Sequence, residues 1–169
     1  MYIYGANGKQ ALTIPVKHSG KNNGRQKYRD VRIENGFPWQ QQHWKSLQTA
    51  YRSSPFFEFY EDDLAPLYHR TYDHLLEFNY SSFEMISQCL QHQWHFSKTR
   101  AYREAPSEGT DLRRLAEAKG TYHDVKLTPY PQVFEKKAGF ISDLSILDLL
   151  FNEGPNALSY LEQQAKLRL

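Results

Sequence analysis

Hydrophobic and polar positions divide this chain into a short β-patterned start and a long helix-patterned remainder. Tyr2 to Tyr4 and Ala11 to Val16 flank Ala-Asn-Gly-Lys, and Asn7-Gly8 between two apolar runs is a strong short-range hairpin signal. A polar loop follows from Lys17 to Arg29, and Val31-Arg32-Ile33 alternates as a brief third strand. Beyond Pro38 the spacing becomes helical. Trp44, Leu47 and Tyr51 mark one stripe that should stop before Pro55. Leu64, Leu67, Tyr68, Leu75 and Leu76 predict a helix over about Pro66 to Phe78. Ser81-x-x-Glu84 reads as a capping box opening a third helix, with Phe83, Ile86, Leu90 and Trp94 as its apolar face.

From Ser97 to Gly120 the pattern dissolves into a polar, irregular excursion. Tyr130 to Phe134 predicts a short extended segment before two closing helices. The first of these is framed by Gly139 and Pro155. Ser142 or Asp143 can cap its start, Asn152 and Gly154 can end it, and Pro155 suits the first turn of the next helix. Ile146, Leu147, Leu149, Leu150 and Phe151 cover most of its circumference, which predicts a core helix. Ser145, Asp148 and Asn152 form a narrow polar stripe at i, i+3, i+7. That stripe is either a solvent-facing edge or the polar wall of a cleft, and spacing does not choose between them. The fold class predicted is α+β: a small N-terminal antiparallel hairpin or sheet followed by a mainly helical body, in one domain spanning 1–169.

Composition narrows the functional classes. The formal net charge is +2 over 169 residues with both signs interspersed, which argues against a nucleic-acid or membrane partner. Cys89 is the single cysteine, so no intramolecular disulfide exists, and no stretch approaches the roughly 18 apolar residues of a membrane span. These features predict a cytoplasmic protein. Twelve Tyr and ten Phe suit either sugar-ring contacts or ordinary half-buried packing.

Candidate chemistry is sparse. His43 shares a face with Leu47 and Ala50; it is either a hydrogen-bonded core histidine or a general base, its ordinary pKa near 6.5 suiting proton transfer around neutrality. Asp148 on the apolar closing helix either orients a base, binds an amine, or is exposed and idle; pairing with His43 is a hypothesis. Arg25 and Arg29 belong to the basic loop with Lys17, His18, Lys21 and Lys27, which could wrap a phosphate or simply be solvated. Cys89, His92 and His95 lack metal-site spacing, so neither metal nor cofactor is expected. Gln132 could read a sugar hydroxyl and Tyr130 could stack on its ring, or both belong to a plain edge strand.

Four stretches carry a resemblance. Tyr4 to Val16 (YGANGKQALTIPV), His43 to Asp62 (HWKSLQTAYRSSPFFEFYED), Tyr130 to Phe134 (YPQVF) and Leu144 to Pro155 (LSILDLLFNEGP) resemble the WbqC-like protein family in content and order. Members are associated with bacterial O-antigen and surface-polysaccharide gene clusters, and acyl or aminoacyl transfer to an amino sugar has been suggested for them. The resemblance implies a nucleotide-sugar or other small-molecule substrate. His43 and Asp148 are then the catalytic candidates, with Arg25, Arg29, Tyr51, Tyr130, Gln132, Ser145 and Asn152 on the substrate. The alternative is a non-catalytic sugar- or partner-binding protein of the same pathway. Family members usually open on a strand with a His-Gln-Pro-type motif ahead of the hairpin, so this chain reads as an N-terminally truncated member. An unpaired hairpin edge would then favour a homodimer.

Overall fold

A computed structural model describes residues 1–18, 26–99, 101–104, 109, 111, 113 and 127–166. Strands β1 (Tyr2–Gly5) and β2 (Gly8–Ala11) form a two-stranded antiparallel sheet in the register Tyr2↔Ala11 to Gly5↔Gly8. The glycine of Asn7-Gly8 supplies the left-handed residue, at φ 102°. The second strand therefore begins at Gly8, earlier than the Ala11 the pattern suggests. Beyond Ala11 the chain leaves the sheet, and Val16 meets only Ile33 in an isolated bridge. Val31–Ile33 is likewise no continuous strand; Arg32 bridges singly to His74.

The outer edge of β1 is occupied. Ser145 donates its N–H to the Tyr2 carbonyl at 2.7 Å, and the Tyr4 N–H donates to the Tyr51 hydroxyl at 3.0 Å. Ile3 and Tyr4 are fully buried, whereas Lys9, Gln10 and Ala11 on β2 are exposed. The hairpin thus lies with β1 against the helices and β2 outermost.

Helix α1 (Trp39–Tyr51) buries Trp39, His43, Trp44, Leu47, Ala50 and Tyr51 and stops before Pro55, as its stripe predicts. Helix α2 (Phe57–His69) corrects the expected element at 66–78. Pro66 sits inside it, and Glu58, Glu61, Asp62 and Asp63 lie in its first half. The buried stripe Phe57, Tyr60, Leu64, Leu67, Tyr68 explains why a helix persists through a residue that costs it about 3 kcal/mol. Helix α3 (Leu75–Cys89) begins six residues ahead of the proposed capping box, with His74 at its N-cap. Phe78 and Cys89 are its buried positions, while Phe83 and Trp94, expected inward, are exposed. The reason is register: starting at Leu75 adds a turn and a half and lets Phe78 set the inward face against Trp39 and Tyr72.

After a short helix α4 (Glu135–Ala138), helix α5 (Ile146–Glu153) is capped by Ser145, not by Ser142 or Asp143. The segment 130–134 is coil and turn rather than a strand. Gly154, at φ 54°, ends α5, and a 3-10 turn at Gly154–Asn156 leads into α6 (Ala157–Lys166). Leu147, Leu149, Leu150 and Phe151 are buried, confirming a core helix. Phe151 lies 5.0 Å from both Tyr51 and Phe57, and Trp44 stacks on Tyr68 at 5.3 Å, so the core is an aromatic layer joining α1, α2 and α5. Among the described residues no helix is long and apolar enough to cross a membrane.

Candidate functional site

Asp148 is fully buried, which overturns the solvent-edge reading of its stripe. A carboxylate removed from water requires donors, and three converge on it. Tyr51 donates its hydroxyl to Oδ1 at 2.8 Å; Tyr130 donates to Oδ2 at 2.7 Å; Gln132 donates Nε2 to Oδ2 at 2.9 Å. Two of these three donations have no freedom to reverse. The Ile141 N–H can only donate, so Gln132 must turn Oε1 to it (2.9 Å) and its amide hydrogens to Asp148 and the Ile141 carbonyl. The Tyr51 oxygen already accepts from Tyr4, which leaves its hydrogen for Asp148. Asn152 closes the cluster by donating to the Asp148 carbonyl at 2.7 Å.

Burial pushes the Asp148 carboxyl above the ordinary carboxylate range, and the three donated hydrogen bonds pull against that shift. Burial also raises the phenols of Tyr51 and Tyr130, the charge of Asp148 adding to it. Four of the sequence candidates, Tyr51, Tyr130, Gln132 and Asn152, thus gather around a fifth, Asp148. Tyr130 alone among these is only half-buried, its ring set edge-on between Phe140 and Tyr160.

His43 stands apart from this cluster. Its Nε2 meets the Thr13 carbonyl at 3.2 Å and its ring packs edge-on against Trp39. No hydrogen bond joins it to Asp148, whose oxygens are all engaged elsewhere, so the expected base-and-orienter pair does not form. The physical reason is distance along α1: His43 and Tyr51 lie eight residues, about 12 Å, apart on its buried side, so Tyr51 reaches α5 while His43 meets the 12–14 segment. There His43 lines a cavity of about 220 Å³ walled by Leu12, Ile14, Leu67, Phe78 and Ile86, with Ser145 also on its lining. Burial lowers the His43 pKa below its ordinary value, partly offset by the Thr13 carbonyl. A carbonyl at Nε2 fixes the proton there and leaves Nδ1 as the basic atom. Nδ1 makes no hydrogen bond to another described residue, and His43 as a whole is 6% exposed.

A second, larger concavity of about 680 Å³ separates the hairpin turn from α1. Gly5 to Gln10 form one wall; Gln42, Lys45, Ser46, Thr49 and Ala50 form the other, with Phe134 at one side. The sequence signal for it was a polar stripe at 42, 45, 46 and 49, which looks like any solvated helix face until the hairpin is placed opposite.

The remaining candidates lie elsewhere. Arg29 is exposed in a 3-10 turn (Tyr28–Asp30), 3.7 Å from Asp30, and Arg25 lies outside the described residues. Ser145 serves as the N-cap of α5, its hydroxyl accepting from the Leu147 N–H at 3.4 Å. Cys89 is buried, and burial pushes its thiol up to about 11, so it is a poor nucleophile at neutral pH. Among the described residues no group of three His, Cys, Asp or Glu is arranged to hold a metal.

A sequence model of the WbqC-like protein family matches residues 1–119 and 114–160. An uncharacterized protein of Mycobacterium tuberculosis (strain ATCC 25618 / H37Rv), Rv1507c, is 30% identical over 182 residues, spanning 91% of this chain and 76% of that protein. No solved structure matches the chain. The family match runs through the hairpin, α1 with His43 and Tyr51, the Tyr130–Gln132 segment and the Asp148 helix; this chain belongs to the WbqC-like protein family.

Proposed function

We propose that this protein works in bacterial surface-polysaccharide biosynthesis, where it transfers an acyl or aminoacyl group to the amine of a nucleotide-linked amino sugar. Family membership supports the pathway. The observation that carries the chemistry is His43: a buried imidazole on the wall of a mostly apolar cavity, with Nε2 tied to the Thr13 carbonyl and its pKa lowered by burial. In this reading Nδ1 takes a proton from the sugar ammonium. The freed amine attacks the donor carbonyl carbon, a C–N bond forms, and the donor's leaving group departs with its electron pair and takes up the second proton that the new amide nitrogen releases. Apolar walls around the reacting amine favour its neutral, nucleophilic form. Asp148 is a positioning residue here, holding Tyr130 and Gln132 in single rotamers so that the half-buried Tyr130 ring offers a fixed stacking surface.

The alternative, a non-catalytic sugar-binding protein of the same pathway, draws support from the complete use of the Asp148 carboxylate within the fold. Calorimetric titration with UDP- and dTDP-linked amino sugars, run beside His43→Gln, separates the two. Saturable binding by both proteins, with acylated product formed by the wild type alone, supports the transferase. Binding with no product from any acyl donor supports the binding protein. A folded wild type that binds none of these sugars rejects both.

A further inference from the structure

We infer that the groove between the hairpin turn and α1 is an anion subsite that receives the diphosphate of a nucleotide-linked ligand. Its walls come from opposite kinds of structure. Gln42, Lys45, Ser46 and Thr49 fall at i, i+3, i+4 and i+7, so they share one face of α1, and that face looks across a gap at the β1–β2 turn. A polar helix face ordinarily meets bulk water. Here it borders an open concavity of about 680 Å³, within the ~300–1,000 Å³ range of small-molecule clefts.

The charged residues that line this groove have one sign. Lys9 lines it from the hairpin and Lys45 from the helix, and no Asp or Glu is among its lining residues. Lys137 adds a third ammonium at the edge, where its Nζ donates to the Ala6 carbonyl at 2.7 Å. No carboxylate forms a salt bridge with any of these lysines among the described residues. Lys9 instead rests over the Tyr2 ring, 4.4 Å from its centroid, a contact that leaves its charge unneutralised. Three unpaired cations around one concavity repel one another and favour a polyanion between them. Amide groups of Gln10 and Gln42 and the Thr49 hydroxyl add neutral donors for oxygen atoms, and Phe134 gives an aromatic wall beside them.

The location suits the proposed reaction. α1 carries Lys45 on the groove side and His43 on the cavity side, and the hairpin turn lines the groove while Leu12, just beyond β2, lines the cavity. The anion site itself is independent of the acyl-transfer reading; only the naming of the ligand as a nucleotide-linked sugar rests on it.

The test is titration of the full chain with inorganic pyrophosphate and with UDP, followed by phosphorus NMR and calorimetry. It compares wild type, Lys9→Gln/Lys45→Gln, and Lys98→Gln as an exposed lysine outside both the groove and the basic loop, with circular dichroism to verify folding. The expected result is saturable wild-type binding weakened about tenfold or more in the double variant, since each lost charge-assisted contact is worth roughly that factor, and unchanged in Lys98→Gln. Absence of saturable pyrophosphate binding to the wild type, or equal losses in both variants, overturns the subsite. Lysine-dependent pyrophosphate binding without any acylation of amino sugars leaves the subsite standing and removes the transferase reading. Undiminished binding of an amino-sugar nucleotide to the double variant does the reverse.

Discussion

Tyr51 donates its hydroxyl to Asp148 at 2.8 Å across a sequence separation of 97 residues. The same oxygen accepts the main-chain N–H of Tyr4, so one side chain at the end of α1 satisfies both a strand edge and a buried carboxylate. This bond ties the N-terminal hairpin, α1 and α5 together through a single atom.

Removal of that atom therefore orphans two buried groups. Tyr51→Phe is expected to cost ~3 kcal/mol of stability, because an unsatisfied buried N–H and a carboxylate that has lost a donor each carry a desolvation penalty. Tyr130→Phe should cost ~1 kcal/mol: its ring is half-buried, water can replace the hydroxyl, and Gln132 still serves Oδ2. Equilibrium urea unfolding of the two variants measures both. Equal costs would mean the network is not anchored on Tyr51.

The raised pKa of Asp148 makes stability depend on pH in a stated direction. Its folded pKa lies above the unfolded value of about 3.9, so the native state binds the proton more tightly. This contribution is fully present below the unfolded pKa and is lost as pH rises through the folded one. Asp148→Asn has no such group. The stability difference, wild type minus Asn variant, should fall as pH climbs from about 3 through the carboxylate range and then level off. Urea melts of both proteins across that range test it, and a difference that rises with pH would show that the hydrogen bonds outweigh burial.

His43 has the opposite sense. Burial lowers its pKa below about 6.5, so the folded state holds the proton less tightly than the unfolded chain. Stability is complete above the unfolded value and declines as pH falls through it, until the folded His43 itself protonates. Replacement by Gln removes this decline. The His43 ring proton should titrate in NMR below pH 6.5, and thermal melts between pH 7.5 and 5.5 should slope less in His43→Gln than in wild type. A titration above 6.5 would remove the neutral base on which the proposed chemistry depends.

The legible parts of this fold were those whose signals are local. Asn7-Gly8 marks the turn, the Trp44–Leu47–Tyr51 stripe marks α1, and the run from Ile146 to Phe151 marks a core helix, because period and punctuation agree at each. Helices α2 and α3 were misplaced where local signals compete: Pro66 looks like a helix start, and Ser81 with Glu84 looks like a cap, yet long-range burial of Phe57 and Phe78 overrides both. The site was half legible. Asp148, Tyr130, Gln132 and Asn152 stand out as polar groups in apolar surroundings, and burial does bring them together. What spacing could not supply was direction: that Tyr51 reaches Asp148, that His43 does not, and that Lys9 and Lys45 face one groove from separate elements.

Two glycines with positive φ should respond unequally to the same substitution. Gly154, at φ 54°, ends α5 where a Cβ would lie 2.5 Å from the Phe56 ring, and Phe56 is itself fixed by its N–H donating to the Phe151 carbonyl at 3.0 Å. Gly154→Ala combines backbone strain with a clash against the partly buried Phe56 ring, which packs on the core, and ~3 kcal/mol or more is expected. Gly8, at φ 102°, has nothing within 4 Å of its Cβ position, so Gly8→Ala meets backbone strain alone, ~1 kcal/mol. Urea unfolding ranks the pair. A Gly8 variant as damaging as the Gly154 variant would contradict the packing of Phe56 beneath the end of α5.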